Sequence, residues 1–264
     1  MIKVPKWVAP RLVCGLGNRL FQMSAAISLA ERLHTEVVFF LPRMSTEHGD
    51  FSLIFKLFPS IRLIETVNTW IDVKEGDALP DTDLPIVLHG FFQNSKSFPS
   101  LTLPILPERL PSEKGWAIHF RLGDYCILPH HQVDLRGYYY QTITKNIPSN
   151  TRLLLFSDSP ERLPAISEEL RNLGYFPEIF NDKDVLKTLR AFSACQGGSV
   201  CSNSTFSWWA AFFSHQINPS YRAFFPNIWM KNESAKEVFT LPFTIPVDIS
   251  LYSAPPFLKS FSYY

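Results

Sequence analysis

His119, Arg121 and Asp124 fall within seven residues, "HFRLGDY" (119–125), directly after the apolar run "WAI". If "WAIHFR" is a strand, alternation puts His119 and Arg121 on one face with Phe120 packed behind them. Gly123 then lets the backbone fold tightly where a side chain would collide. The charged groups would cluster at the carboxyl end of the strand, where open α/β sheets bind ligands. Arginine carries a permanent charge and a donor fork that fits phosphate oxygens, so a diphosphate could meet Arg121 and His119 together. A plainer reading stands beside it: Arg121 and Asp124 form an ion pair that closes a turn, and His119 is merely packed. A carboxylate or histidine could also serve as general base, and Asp124, His130, His131 and Asp134 all lie in or just beyond this stretch.

Three further stretches have chemistry to offer. "CGLGNRLFQ" (14–22) is a glycine-rich turn feeding a helix, able to present backbone N–H groups to a phosphate or a sugar, although on its own it reads as a structural turn. "LLLFSDSPE" (153–161) ends an apolar run in Ser157 and Asp158. An aspartate there can accept from N1–H and the exocyclic amine of guanine, a donor pair adenine lacks; an Asx turn or helix cap before Pro160 is the rival. "CSNSTFSWWAAFF" (201–213) places Asn203, Ser204, Thr205 and Ser207 ahead of an apolar helix. Hydroxyls at a helix start make an anion cradle, while Trp208 and Trp209 can bury. "NDKD" (181–184) could hold a metal through Asp182 and Asp184, but Asp184 fits as the N-cap of "VLKTLRAF", and "DTD" (81–83) sits among turn residues; no metal is expected.

The elements that must position these groups alternate. "RLVCG", "EVVFF" and "IVLHGFF" read as strands, and "NRLFQMSAAISLAERL" as an amphipathic helix with Asn18 as its N-cap. Beyond the Pro-rich stretch 103–115, the best linker, strands "WAIHFR", "RLLLFSD", "YFPEIF" and "GSVCSN" alternate with helical segments, which predicts a mostly parallel sheet. The expected division is 1–110, 111–240 and a wrapping tail over 241–264.

With 264 residues, 46% of them hydrophobic, the chain can bury a large core, and its net charge of +1 gives no support to a nucleic-acid or anionic-membrane binder. Four scattered cysteines without CxxC spacing suggest neither a zinc site nor a disulfide framework. "MIKVPKWVAPRLV" lacks the apolar core of a signal peptide, and no run approaches transmembrane length, so the expectation is a cytoplasmic protein with peripheral membrane contact left open.

Taken in order, "CGLGNRLFQ", "GFFQNSKSF" (90–98), "HFRLGDY", "FSDS", "SNSTFSWWAAF" and "FFPNIWMKN" (224–232) resemble the strings of the alpha-1,2-fucosyltransferases of glycosyltransferase family 11: GGLGNQLFQ, GYxQSxKYF, HxRRGDY, FSDD and NSTFSWWAAW, with a closing Pro…Trp stretch. The resemblance covers residues 11–232. It implies an α/β, GT-B-like architecture of two Rossmann-type halves with a cleft between them, GDP-fucose as donor, inversion at the anomeric carbon, a glycan acceptor and no metal. It further implies that Arg121, helped by His119, binds the diphosphate, that Asp158 reads guanine, and that Ser204, Thr205 and Phe206 hold ribose and diphosphate. Asn18 and Arg19 would face the reaction cleft, with Asn18 and Asp124 counted as catalytic beside Arg121 and His119, and Gly17 and Arg19 among the residues that bind the donor. Departures from the pattern include Leu122 in place of the second arginine, Ser159 in place of the second aspartate and Ser97 in place of a tyrosine. Another GDP-6-deoxyhexose such as rhamnose, or a non-catalytic nucleotide- or glycan-binding protein, are the alternatives.

Overall fold

The structure, a computed structural model, describes residues 3–47, 49, 51–94, 115–231, 233–234 and 241–251. The chain divides into two compact units, Met1–Ile105 and Leu106–Tyr264. Of the expected linker, only Gly115 is among the described residues; residues 95–98 of "GFFQNSKSF" and 252–264 of the expected tail lie outside them.

The first unit runs β1 (Val8–Pro10), α1 (Leu16–Leu33), β2 (Phe39–Phe40), α2 (Ser52–Leu57), β3 (Leu63–Ile64), β4 (Ile71–Lys74) and β5 (Ile86–His89). Two parallel ladders, β1-β5-β4 and β2-β3, are joined by a parallel bridge between Val8 and Val37. Ala25, Ala26, Leu29 and Ala30 of α1 pack on Val8, Val73, Ile86 and Leu88. The opposite face buries Trp7, Ala9, Val38, Phe40 and Val87. With both faces covered, Val8–Pro10 shows no alternation to read, and the first strand lies ahead of the expected "RLVCG". Pro10, lacking an N–H, ends the ladder. Cys14 then takes a left-handed conformation, φ 63°. Helix α1 starts behind Gly15 with no side-chain cap, so Asn18 is not the N-cap: it lies inside the first turn.

In the second unit the order is β6 (Trp116–Phe120), α3 (Arg136–Asn146), β7 (Arg152–Ser157), α4 (Leu163–Asn172), β8 (Phe176–Ile179), α5 (Val185–Ala194), β9 (Gly198–Val200), α6 (Thr205–Ile217), β10 (Ala223–Pro226), β11 (Ile228–Met230), β12 (Glu233–Ser234) and β13 (Thr244–Val247). A six-stranded sheet, all pairs parallel, has the spatial order β8-β7-β6-β9-β10-β13. Numbered within the unit this is 3-2-1-4-5-6, the doubly wound order, whose direction reverses between β6 and β9. The expected mostly parallel α/β sheet is therefore present. Strands β11 and β12 form a short antiparallel ribbon. The stretch from 241 does not begin as a wrapping tail, because β13 pairs with β10 as the sheet's edge strand.

Alternation along β6 assigns its faces. Trp116, Ile118, Phe120 and Leu122 share a core with Tyr138, Tyr139 and Ile143 of α3 and Leu163, Ile166 and Leu170 of α4. On the other face His119 meets Phe192 of α5 and Phe206 of α6, with ring centroids 6.4 and 5.8 Å away. Asp184 caps α5 by accepting from Leu186 N and Lys187 N, the role expected of it. Trp208 and Trp209 are fully buried. No helix among the described residues is long and apolar enough to cross a membrane.

Candidate functional site

The switch point of the second unit lies where β6 and β9 end, and there three segments converge. The loop after β6 carries Arg121 to Tyr125, the segment after β9 carries Ser202 to Ser204, and α6 begins at Thr205. Tyr125 hydroxyl donates to the Asn203 carbonyl at 3.2 Å. His119 Nδ1 lies 2.5 Å from Ser207 Oγ and 3.2 Å from Ser202 Oγ. These contacts hold the start of α6 against the end of β6 across roughly eighty residues of chain.

His119 is 4% exposed, and burial pushes its pKa down to about 4. It is therefore neutral near pH 7: it can offer a ligand a hydrogen bond but adds no positive charge. Arg121 supplies the charge here. Its guanidinium lies 2.9 Å from Asp124 Oδ1 and 3.1 Å from Asp158 Oδ2, and it stacks over the Tyr125 ring at 5.1 Å. The ion pair with Asp124, the plainer reading of the motif, is thus formed, with Asp158 as a second partner. Burial also pushes the Tyr125 phenol up to about 12, so it stays a donor.

Asp158 is the hub of the loop. Its Oδ1 accepts from Leu122 N at 2.8 Å and its Oδ2 from Gly123 N at 3.1 Å. A base edge bound at Asp158 would have to share these oxygens, whose remaining lone pairs are few. The approach also explains Gly123. A Cβ there would lie 2.5 Å from Asp158 Oδ2, closer than real Cβ contacts come. Gly123→Ala is expected to displace the Asp158 carboxylate, costing about 1–3 kcal/mol of stability through the lost charge-assisted bonds to Leu122 N and Gly123 N. Chemical denaturation checks this. A midpoint within error of wild type would mean that the loop does not depend on the approach.

At the helix start, Ser204 stands at the cap position without a side-chain cap bond. Thr205 is half-buried and Phe206 leans on His119. Asn203 is buried, with Nδ2 donating to the Trp229 carbonyl at 2.7 Å and Oδ1 without a hydrogen-bond partner among the described residues. A buried acceptor left open in this way has room for a further donor. The arrangement can place an anion between Arg121 and the N–H groups that open α6, with Asn203 and the hydroxyls beside it.

Gly17, Asn18 and Arg19 belong to the first unit and sit in the first turn of α1. Asn18 Oδ1 accepts from Gln93 Nε2 at 2.8 Å, tying the "GFFQ" turn to the helix start. Arg19, only 4% exposed, donates to the Ser45 and Gly49 carbonyls at 3.3 and 3.1 Å and lies 4.4 Å over the Phe51 ring, holding the loop around 45–51.

Sequence reasoning missed Ser202 and Tyr125, whose partners are distant in the chain and leave no local pattern. It also missed Glu75, which sits in no motif. Its carboxylate accepts from Phe91 N, Phe92 N and Asn94 Nδ2, shaping the turn that carries Gln93. The second unit is thus a doubly wound α/β unit with a polar, arginine-bearing cluster at its switch point. Comparison with protein-family models and with curated proteins finds no match to this chain.

Proposed function

We propose that the chain is an inverting glycosyltransferase that moves L-fucose from GDP-fucose to a saccharide hydroxyl, forming an alpha-1,2 linkage, with the two units arranged as in GT-B enzymes. The observation that carries this reading is the convergence of Arg121 and the hydroxyl-rich start of α6 on one switch point. It is supported by the ordered motif strings. Breaking the anomeric bond leaves negative charge on the departing GDP. Arg121 and the first N–H groups of α6 would stabilise it, and donors fixed in advance at a developing charge lower a barrier most. The acceptor is a glycan, and neither nucleic acid nor metal has a part in the step.

The two carboxylates on Arg121 favour a second reading, in which the cluster is a structural ion triad in a protein that binds a nucleotide or glycan without turnover. Thermal shift with GDP, UDP, ADP and CMP, followed by GDP release from GDP-fucose and GDP-rhamnose in excess EDTA, separates the readings. GDP is expected to stabilise most, with turnover persisting in EDTA. Equal stabilisation by UDP and GDP would remove the guanine assignment, and GDP binding without release from either sugar nucleotide would favour the second reading. Activity abolished by EDTA and restored by Mg would revive a metal site at Asp182 and Asp184.

A further inference from the structure

We infer that Asp124 is an internal competitor for the anion: its carboxylate occupies the Arg121 guanidinium until a diphosphate displaces it, an inference that rests on the reading of Arg121 as the diphosphate-binding residue. Arg121 is shared between two carboxylates. Nη2 lies 2.9 and 3.1 Å from the two oxygens of Asp124, and Nη1 lies 3.1 Å from Asp158 Oδ2. One cation thus faces two anions, and His119 beside them, neutral through burial, adds no positive charge. A further anion is repelled until one carboxylate departs.

The two carboxylates differ in how they are held. Asp158 is tied by two main-chain donors, Leu122 N at 2.8 Å and Gly123 N at 3.1 Å, and its side chain is 22% exposed. Asp124 is 41% exposed, and among the described residues its carboxylate meets no donor besides Arg121. Asp124 is the group free to leave.

The turn does not need that carboxylate. Cys126 N donates to the Gly123 carbonyl at 3.1 Å, and the Asp124 carbonyl accepts from Ile127 N and Leu128 N at 3.1 and 3.0 Å. The main chain closes the turn, so rotation of the Asp124 side chain about its Cα–Cβ bond frees Nη2 and leaves the backbone where it is. Asp158 and the Tyr125 ring, 5.1 Å from the guanidinium carbon, still hold the group in place. A phosphate offers the same paired oxygens as a carboxylate, so it fits the position that Asp124 vacates. A partly exposed ion pair is weak enough for this exchange. The consequence is a resting affinity below the one that the free guanidinium would give, because a site open for part of the time binds more weakly by that fraction.

The test sets the full chain beside Asp124→Asn and Asp124→Ser, neither of which brings a charge to the guanidinium. Calorimetry measures the affinity for GDP and for pyrophosphate at about 0.15 M and about 1 M salt, and stopped flow with N-methylanthraniloyl-GDP gives the association and dissociation rates. Both variants are expected to bind GDP and pyrophosphate about three- to tenfold more tightly than wild type, through faster association with an unchanged dissociation rate. The gain should persist at high salt, where charges more than about 3 Å apart are largely screened. GDP binding by wild type with equal or weaker binding by both variants would make Asp124 a positioning residue for Arg121 and overturn the inference. So would a gain that vanishes at high salt, which reports only the removal of a distant charge, or a melting temperature lowered in both variants, which would mean that the carboxylate holds the turn. If neither wild type nor variants bind GDP or pyrophosphate, the diphosphate reading of Arg121 itself fails, and the competitor with it.

Discussion

Leu122→Arg, the change that restores the second arginine of the HxRRGDY string, is expected to destabilise the protein rather than improve it. Leu122 is 3% exposed and belongs to the core that holds Phe120, Val133, Leu135 and Ile166. Alternation from Arg121 turns its side chain away from the polar cluster and under α3 and α4. A guanidinium placed there is a buried charge without a carboxylate, a penalty of about 3–5 kcal/mol. For a unit of this size the melting temperature should fall by roughly 10 °C or more. Differential scanning calorimetry reads it directly. An unchanged melt with tighter GDP binding would mean that position 122 can turn toward the ligand, and the assignment of faces along β6 would be wrong.

Arg121 carries the other large effect. Arg121→Ala is expected to reduce turnover by about 10²- to 10³-fold, the usual consequence of losing one donor preorganised at a developing oxyanion. Arg121→Lys should recover little of that, because an ammonium cannot reproduce a planar fork that now meets two carboxylates and an aromatic ring. Stability should move little. The ion pairs are partly solvent-exposed, and such pairs contribute only about 0–1 kcal/mol. The decisive comparison sets kcat and GDP affinity against the melting temperature for both variants. If the melt collapses in step with activity, Arg121 is a structural tie between the β6 loop and Asp158, and its diphosphate role is given up.

Glycine at 123, alternation in "WAIHFR" and the Asp184 cap were legible from sequence because each depends on neighbours only a few residues away. The tight turn, the split of His119 and Arg121 from Phe120 and Leu122, and the start of α5 are local consequences of backbone sterics and pleat. The repeated strand–helix alternation likewise settled a parallel sheet, since a parallel connection needs a crossover. What local pattern could not carry is strand order. That the ends of β6 and β9 meet, bringing Tyr125 to Asn203 and His119 to Ser207, follows from the reversal of winding after β8. Tertiary contact also decided the charges. His119 is neutral because helices cover both faces of its strand, and Arg121 is bracketed because Asp158, just past the end of the neighbouring strand β7, reaches across to the turn. The first strand and β13 escaped notice for a related reason. A strand buried on both faces carries no alternation, and β13 is only four residues long with Pro246 inside it, so only the packed sheet shows where they lie.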